Sequence, residues 1–186
     1  MVIEASRAKR VYTYQDYLDS PDDGKRYEIL DGELVVNAAP STAHQTVVFN
    51  LGLFLGNQVR QHRLGRMFIA PTEVKLADTA LAQPDLQFVT RDRLDIIQPQ
   101  GLVGPPDLVV EVRSPTTARH DLVTKRRMYA RYSVPNYWLF EPLRGETEAL
   151  VLEGAEYSLG FRARGDEAFS APPFPDLVIP LSEVWE

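Results

Sequence analysis

The chain contains no cysteine and only three histidines among its 186 residues. The missing thiol excludes disulfides, thiolate-bound zinc, iron–sulfur clusters and a cysteine nucleophile together. Any metal must then be held by oxygen ligands or by one of those histidines. Also absent is a run of about 18 uninterrupted apolar residues, the length that a membrane-crossing helix requires. The start Met1-Val2-Ile3-Glu4 lacks the apolar segment of a signal peptide. The expectation is a soluble, cytoplasmic protein without a membrane partner.

Hydrophobic residues make up 44% of the chain, enough to bury a substantial core. At this length a single domain over 1–186 is expected: a polar extension at 1–25, a core at 26–142 and a β extension at 143–186. The net charge of −6 is unevenly spread. The tail from 144 to 186 holds nine acids and three bases, so it accounts for the whole imbalance. By contrast, Arg113, Arg119, Lys125, Arg126, Arg127 and Arg131 face a single acid, Asp121, between 113 and 131. Such a basic run is either a solvated helix face or a surface that attracts phosphate.

Local patterns order the elements. A short helix is expected around Thr13–Leu18. Two β-prone runs flank Asp31-Gly32 between Tyr27 and Val36, the strongest short hairpin signal. Ser41 can cap a helix reaching about His62, with Val47, Val48, Leu51, Leu55 and Val59 at helical spacing and Gly65 as its stop. Strands are expected near 67–76, 84–90 and 107–113, then a helix to about Tyr132 and a strand over Tyr137–Phe140. The last three elements imply a parallel, right-handed crossover. Beyond Pro142 the pattern suggests a short hairpin, an irregular stretch at Ala171-Pro172-Pro173-Phe174-Pro175 and a terminal strand at Leu177–Ile179.

The candidate chemistry lies where acids interrupt apolar strands, in Gln83-Pro84-Asp85-Leu86 and in Pro106-Asp107-Leu108-Val109-Val110-Glu111-Val112-Arg113. Strand alternation puts Asp107, Val109, Glu111 and Arg113 on one face, read as chemistry, with Leu108, Val110 and Val112 on the other, read as core. If the two strands are neighbours, Asp85 and Glu111 meet. Two carboxylates, with waters and a substrate phosphate, are how magnesium or manganese is usually held. The competing reading has each acid capping a strand start or pairing with an arginine. Leu122, Lys125, Tyr129 and Tyr132 fall at i, i+3, i+7 and i+10, so Lys125 sits in a stripe that faces the sheet. Its partner is either Asp121 one turn back, which leaves the inward placement unexplained, or the acidic pair itself.

Other candidates have supporting roles. Asp107 stands about 13 Å along the strand from Glu111, too far to share an ion, and suits the start of its strand better. Glu73 is a possible third carboxylate in the strand before Asp85, or an ordinary exposed acid. His44, near the start of the first long helix, is a candidate contact for substrate phosphate or for the acids, or a structural residue, and Glu28 is open to the same alternatives. Tyr137 and Trp138 are expected as packing residues.

These residues in this order resemble the PD-(D/E)XK, or restriction-endonuclease-like, nuclease superfamily. More closely, the chain resembles the bacterial Uma-type endonuclease-like family, long filed as a domain of unknown function. The match runs from Tyr27 to Pro142: Tyr27-Glu28, Asp31-Gly32-Glu33-Leu34, His44, Gln83-Pro84-Asp85, Pro106 to Val112, Ser114-Pro115, Thr117, Asp121, Lys125, Tyr129, Val134-Pro135 and Tyr137-Trp138. The resemblance implies an α/β fold with an αβββαβ core, a mixed central sheet flanked by helices, an N-terminal hairpin and a C-terminal β extension. It implies Asp85 and Glu111 as catalytic acids that bind Mg2+ or Mn2+, with Lys125 in place of the lysine expected two positions after Glu111. Arg113 stands at that position; its charge is permanent, so it suits phosphate or Glu111 rather than the work of a base. With His44 and Arg119 it forms the substrate-binding set.

The implied activity is metal-dependent phosphodiester hydrolysis, with DNA as the substrate of an endonuclease and a homodimer as a possible assembly. Two alternatives stay open: a catalytically altered nuclease-fold module that binds nucleic acid or protein, and a metal-dependent hydrolase of a small phosphoester.

Overall fold

A computed structural model describes residues 10–113 and 120–186. Arg119, Ser114-Pro115 and Thr117 lie outside the described residues, as do the side chains of Asp121 and Leu122. After a one-turn helix α1 (Tyr14–Leu18), the Asp31-Gly32 signal yields a hairpin of β1 (Arg26–Leu30) and β2 (Glu33–Asn37). Both turn residues have positive φ, 50° and 83°, which fits the tight two-residue turn between Leu30 and Glu33. Helix α2 (Thr42–His62) begins as expected, with the Ser41 hydroxyl accepting the His44 amide at 3.3 Å. Its buried stripe is Val47, Val48, Leu51, Leu55 and Val59, and it ends at Arg63 in the left-handed conformation, two residues before Gly65.

The expected strand at 67–76 is two strands in different sheets. Pro71 has no amide hydrogen to offer a ladder, and the chain breaks there into β3 (Gly65–Ile69) and β4 (Glu73–Ala77). A short β5 (Ala80–Ala82) then precedes β6 (Leu86–Thr90), so Glu73 is not in the strand next to Asp85 along the chain. A small hairpin, β7 (Ile97–Gln98) and β8 (Gly101–Val103), leads to β9 (Leu108–Val112). A π-helical turn over His120–Lys125 runs into α3 (Arg126–Arg131), followed by β10 (Asn136–Glu141). The tail forms β11 (Glu146–Glu153), β12 (Glu156–Arg164), β13 (Ala168–Ala171), β14 (Phe174–Pro180) and a final turn α4 (Ser182–Trp185). The proline-rich stretch is thus the turn of a β13–β14 hairpin, not an irregular segment.

The main sheet runs β12-β11-β10-β9-β6-β3. Within it, α2, β3, β6, β9, α3 and β10 give the αβββαβ order, with β9 and β10 parallel and β6 antiparallel to both of its neighbours, β3 and β9. The N-terminal hairpin is part of a second sheet, β2-β1-β5-β4-β8-β7, assembled from it and from the insertions on either side of β6. One face of the main sheet packs on α2, the β13–β14 hairpin and α4 through Leu51, Leu55, Phe88, Val110, Trp138, Phe140, Phe169 and Val184. The other meets α3 and the second sheet through Leu30, Ala82, Val109, Tyr129, Tyr137 and Leu139. Both faces of β9 are therefore buried, and the candidate site residues Asp85 and Glu111 lie inside the fold rather than on an open surface. No helix among the described residues is long and apolar enough to cross a membrane.

Candidate active site

The β6–β9 register pairs Leu86 with Val110 and Gln87 with Val109, so one further step sets Asp85 against Glu111. Pro84 ends the preceding segment and leaves Asp85 in a bend at the mouth of β6, where its side chain substitutes for the ladder. Asp85 Oδ2 accepts the Val112 amide at 2.8 Å and lies 3.1 Å from His44 Nε2. The Asp85 carboxyl is buried, which by itself raises its pKa. Hydrogen bonding and charge from His44, the Val112 amide and the charge of Lys125 outweigh burial and hold it below the usual aspartate value. With Asp85 ionised, the proton on the His44 contact belongs to Nε2. Asp85 Oδ1 faces the Arg26 guanidinium at 3.6 Å.

Lys125 reaches the acids. Its Nζ donates to Glu111 Oε1 at 2.9 Å and lies 3.0 Å from Glu28 Oε1, with 3% of the residue exposed. The π-helical turn ends at this residue, and turns of that kind recur where a helix must aim one side chain. Glu111 Oε1 also accepts the Tyr129 hydroxyl at 2.8 Å, and burial with the charges of Glu111 and Glu28 pushes the Tyr129 pKa up. Glu28 is fully buried and well coordinated: the Gln83 amide reaches Oε1 at 2.7 Å and the Asn37 side chain reaches Oε2 at 2.7 Å. The structure thus gathers Glu28, Asp85 and Glu111 around Lys125, with Arg26 and His44 on the Asp85 side.

Other candidates lie elsewhere. The Glu73 carboxylate accepts the Tyr17 hydroxyl at 2.7 Å and the Tyr14 hydroxyl at 3.3 Å, in the second sheet. Asp107 accepts the Thr90 amide and an Arg93 guanidinium N–H, both at 2.8 Å, where β9 begins. Arg113 pairs not with Glu111 but with Glu141 at 3.0 Å, on a cavity of about 280 Å³ shared with Arg144 and Arg162. Of the basic run, Arg126, Arg127 and Arg131 line a larger cavity of about 650 Å³ against Tyr157. Tyr137 and Trp138 are buried, and the Trp138 ring meets Phe169 edge-on at 4.8 Å.

Arg26, Asn37 and Gln87 were not visible as site residues in the sequence. Arg26 shares a face of β1 with Glu28, but only the folded contact between that strand and Asp85 reveals its neighbour. Gln87, two positions after Asp85, is the one a strand-alternation argument could have found.

An αβββαβ core with a buried aspartate, glutamate and lysine defines a restriction-endonuclease-like protein. A family model, Uma2, described as "Putative restriction endonuclease", matches residues 14–182, and the chain belongs to that family. Among solved structures it is similar to the crystal structure of "a putative nuclease belonging to DUF820" from Anabaena variabilis. The TM-score is 0.76 at 16% identity, covering 93% of this chain and 97% of that one. No curated protein matches.

Proposed function

We propose that the chain is a divalent-metal-dependent nuclease that hydrolyses phosphodiester bonds in DNA, with Asp85 and Glu111 as metal ligands and Lys125 positioning or activating water. The observation that carries this reading is a set of unsatisfied polar atoms. Among the described residues, the buried side-chain atoms without a hydrogen-bond partner are Arg26 Nε, His44 Nδ1, Gln83 Oε1, Gln87 Oε1 and Arg113 Nε. Arg26 and His44 touch Asp85, the two glutamines flank it in sequence, and Arg113 follows Glu111 by two residues. Each such group costs about 1–3 kcal/mol, and the two that touch Asp85, Arg26 and His44, suit a site completed by ligand or water.

The donor set fits a hard cation in part. Among the described residues no group of three or more histidines and acids is placed to hold a metal. Mg2+, however, usually takes one or two carboxylates and keeps waters, and among the described residues Asp85 Oδ1 faces only the Arg26 guanidinium, at 3.6 Å. When bound, such an ion polarises a phosphate oxygen and lowers the pKa of water. Lys125, anchored by Glu28 and Glu111, orients water and offsets charge developing on phosphate. His44 and the Val112 amide fix the Asp85 carboxylate.

The test is cleavage of single- and double-stranded DNA and of RNA with Mg2+ or Mn2+, for wild type beside Asp85→Asn and Glu111→Gln. Wild type should cut DNA, and each variant should lose at least about a hundredfold in rate. Cleavage untouched by either substitution refutes the assignment. A nuclease-fold binding module is the second reading, favoured by Arg113 at the usual lysine position; nucleic-acid binding without cleavage would establish it.

A further inference from the structure

We infer that Arg26 is the residue of this site that grips the phosphate, a role the sequence pattern offers to Arg113. The inference deepens the nuclease reading and rests on it for the identity of the phosphate as part of a nucleic acid. Three observations converge on Arg26. First, strand alternation on β1 puts Arg26 on the same face as Glu28, which is hydrogen-bonded into the Lys125 cluster, so the strand delivers both to one place. Second, the Arg26 guanidinium lies 3.6 Å from Asp85 Oδ1, close enough for charge attraction and too long for a hydrogen bond. Third, none of its N–H groups has an acceptor among the described residues, and Nε is buried as well.

A guanidinium with five donors, 26% exposed and held to a buried aspartate by charge without a hydrogen bond, is suited to take a second anion at the mouth of a carboxylate cluster. Its planar fork matches two oxygens of a phosphate, and its partial exposure leaves an approach from solvent. Arg113 is differently placed: Glu141 already occupies its Nη1 at 3.0 Å, and its side chain is 12% exposed. A phosphate held by Arg26 would sit on the Asp85 side of the cluster.

The experiment uses the full chain with Arg26→Met, Arg26→Lys and, as a surface control, Arg60→Met, each checked for native circular dichroism. Arg26→Lys keeps a positive charge facing Asp85, so a fold that merely needs charge balance survives in it. In metal-free buffer, inorganic phosphate should raise the melting temperature of wild type and Arg60→Met saturably, and that rise should vanish in Arg26→Met and shrink in Arg26→Lys. In the cleavage assay Arg26→Met should lose about a hundredfold in kcat/KM, and a further variant, Arg26→Ala, should be partly rescued by added guanidinium ion. An unchanged phosphate response in Arg26→Met overturns the inference, as does undiminished cleavage by that variant. If wild type cuts no nucleic acid while its phosphate response still depends on Arg26, the nuclease reading falls and the phosphate site stands. If wild type cuts DNA through Asp85 and Arg26→Met is unaffected, the reverse holds.

Discussion

Lys125 holds one ammonium between two buried carboxylates, Glu28 at 3.0 Å and Glu111 at 2.9 Å. Removing the charge would leave both acids in a site that water barely reaches, a change that typically costs about 3–5 kcal/mol. Lys125→Met is therefore expected to lose that much in urea denaturation, and adding Glu28→Gln should restore part of it by removing one uncompensated charge. A loss below about 1 kcal/mol in Lys125→Met would mean that the acids are not held as an ionised pair around it. At this scale the sequence was legible where strand alternation and helical spacing apply, which picked out Asp85, Glu111 and the inward Lys125. It was silent on Arg26, because no spacing along the chain relates residue 26 to residue 85. It also ranked the acids imperfectly: Glu28 and Glu73 looked alike as outlying carboxylates, yet one is in the cluster and the other is held by Tyr14 and Tyr17.

Among the elements, β3 is the one whose placement depends most on a single residue. A β-carbon added to Gly65 would stand 2.0 Å from the Val89 carbonyl oxygen and 2.9 Å from the Thr90 backbone. Backbone atoms cannot move aside as a side chain can, so Gly65→Ala must push β3 away from β6, the strand that carries Asp85 at its head. The expected cost is about 1–3 kcal/mol or more, with hydrogen-exchange protection lost first in β3 and then at the end of β6, around Val89 and Thr90. Unchanged protection across β3 would show that the edge absorbs the methyl elsewhere. Gly65 was read from the sequence only as a helix stop, since a local pattern shows where a helix ends but not that two backbones meet there. The same limit explains β3 and β4: the run from 67 to 76 has one continuous β-prone character, and only the missing amide of Pro71 divides it between two sheets.

Across the whole molecule, three tyrosine hydroxyls tie peripheral segments to the sheets. Tyr17 joins α1 to Glu73 on β4, Tyr129 joins α3 to Glu111 on β9, and Tyr157 joins β12 to the Val134 carbonyl ahead of β10. Burial is the largest cause raising each pKa; for Tyr17 a hydrogen bond to Glu73 adds to it, and for Tyr129 the charges of Glu111 and Glu28 do. The sign follows from linkage: a folded pKa above the unfolded value of about 10 leaves stability intact below that pH. As pH climbs past it, the unfolded chain releases protons that the folded chain retains, so stability falls. Urea midpoints should therefore hold steady between about pH 8 and 9.5 and drop steeply above about 10, with tyrosinate absorbance appearing together with unfolding. Tyr157→Phe should flatten part of that decline, because it removes one proton from the difference while keeping the ring against Tyr137 at 5.8 Å. Tyrosinate that forms fully before the fold is lost would place these hydroxyls in solvent, and the peripheral segments would then be held by packing alone.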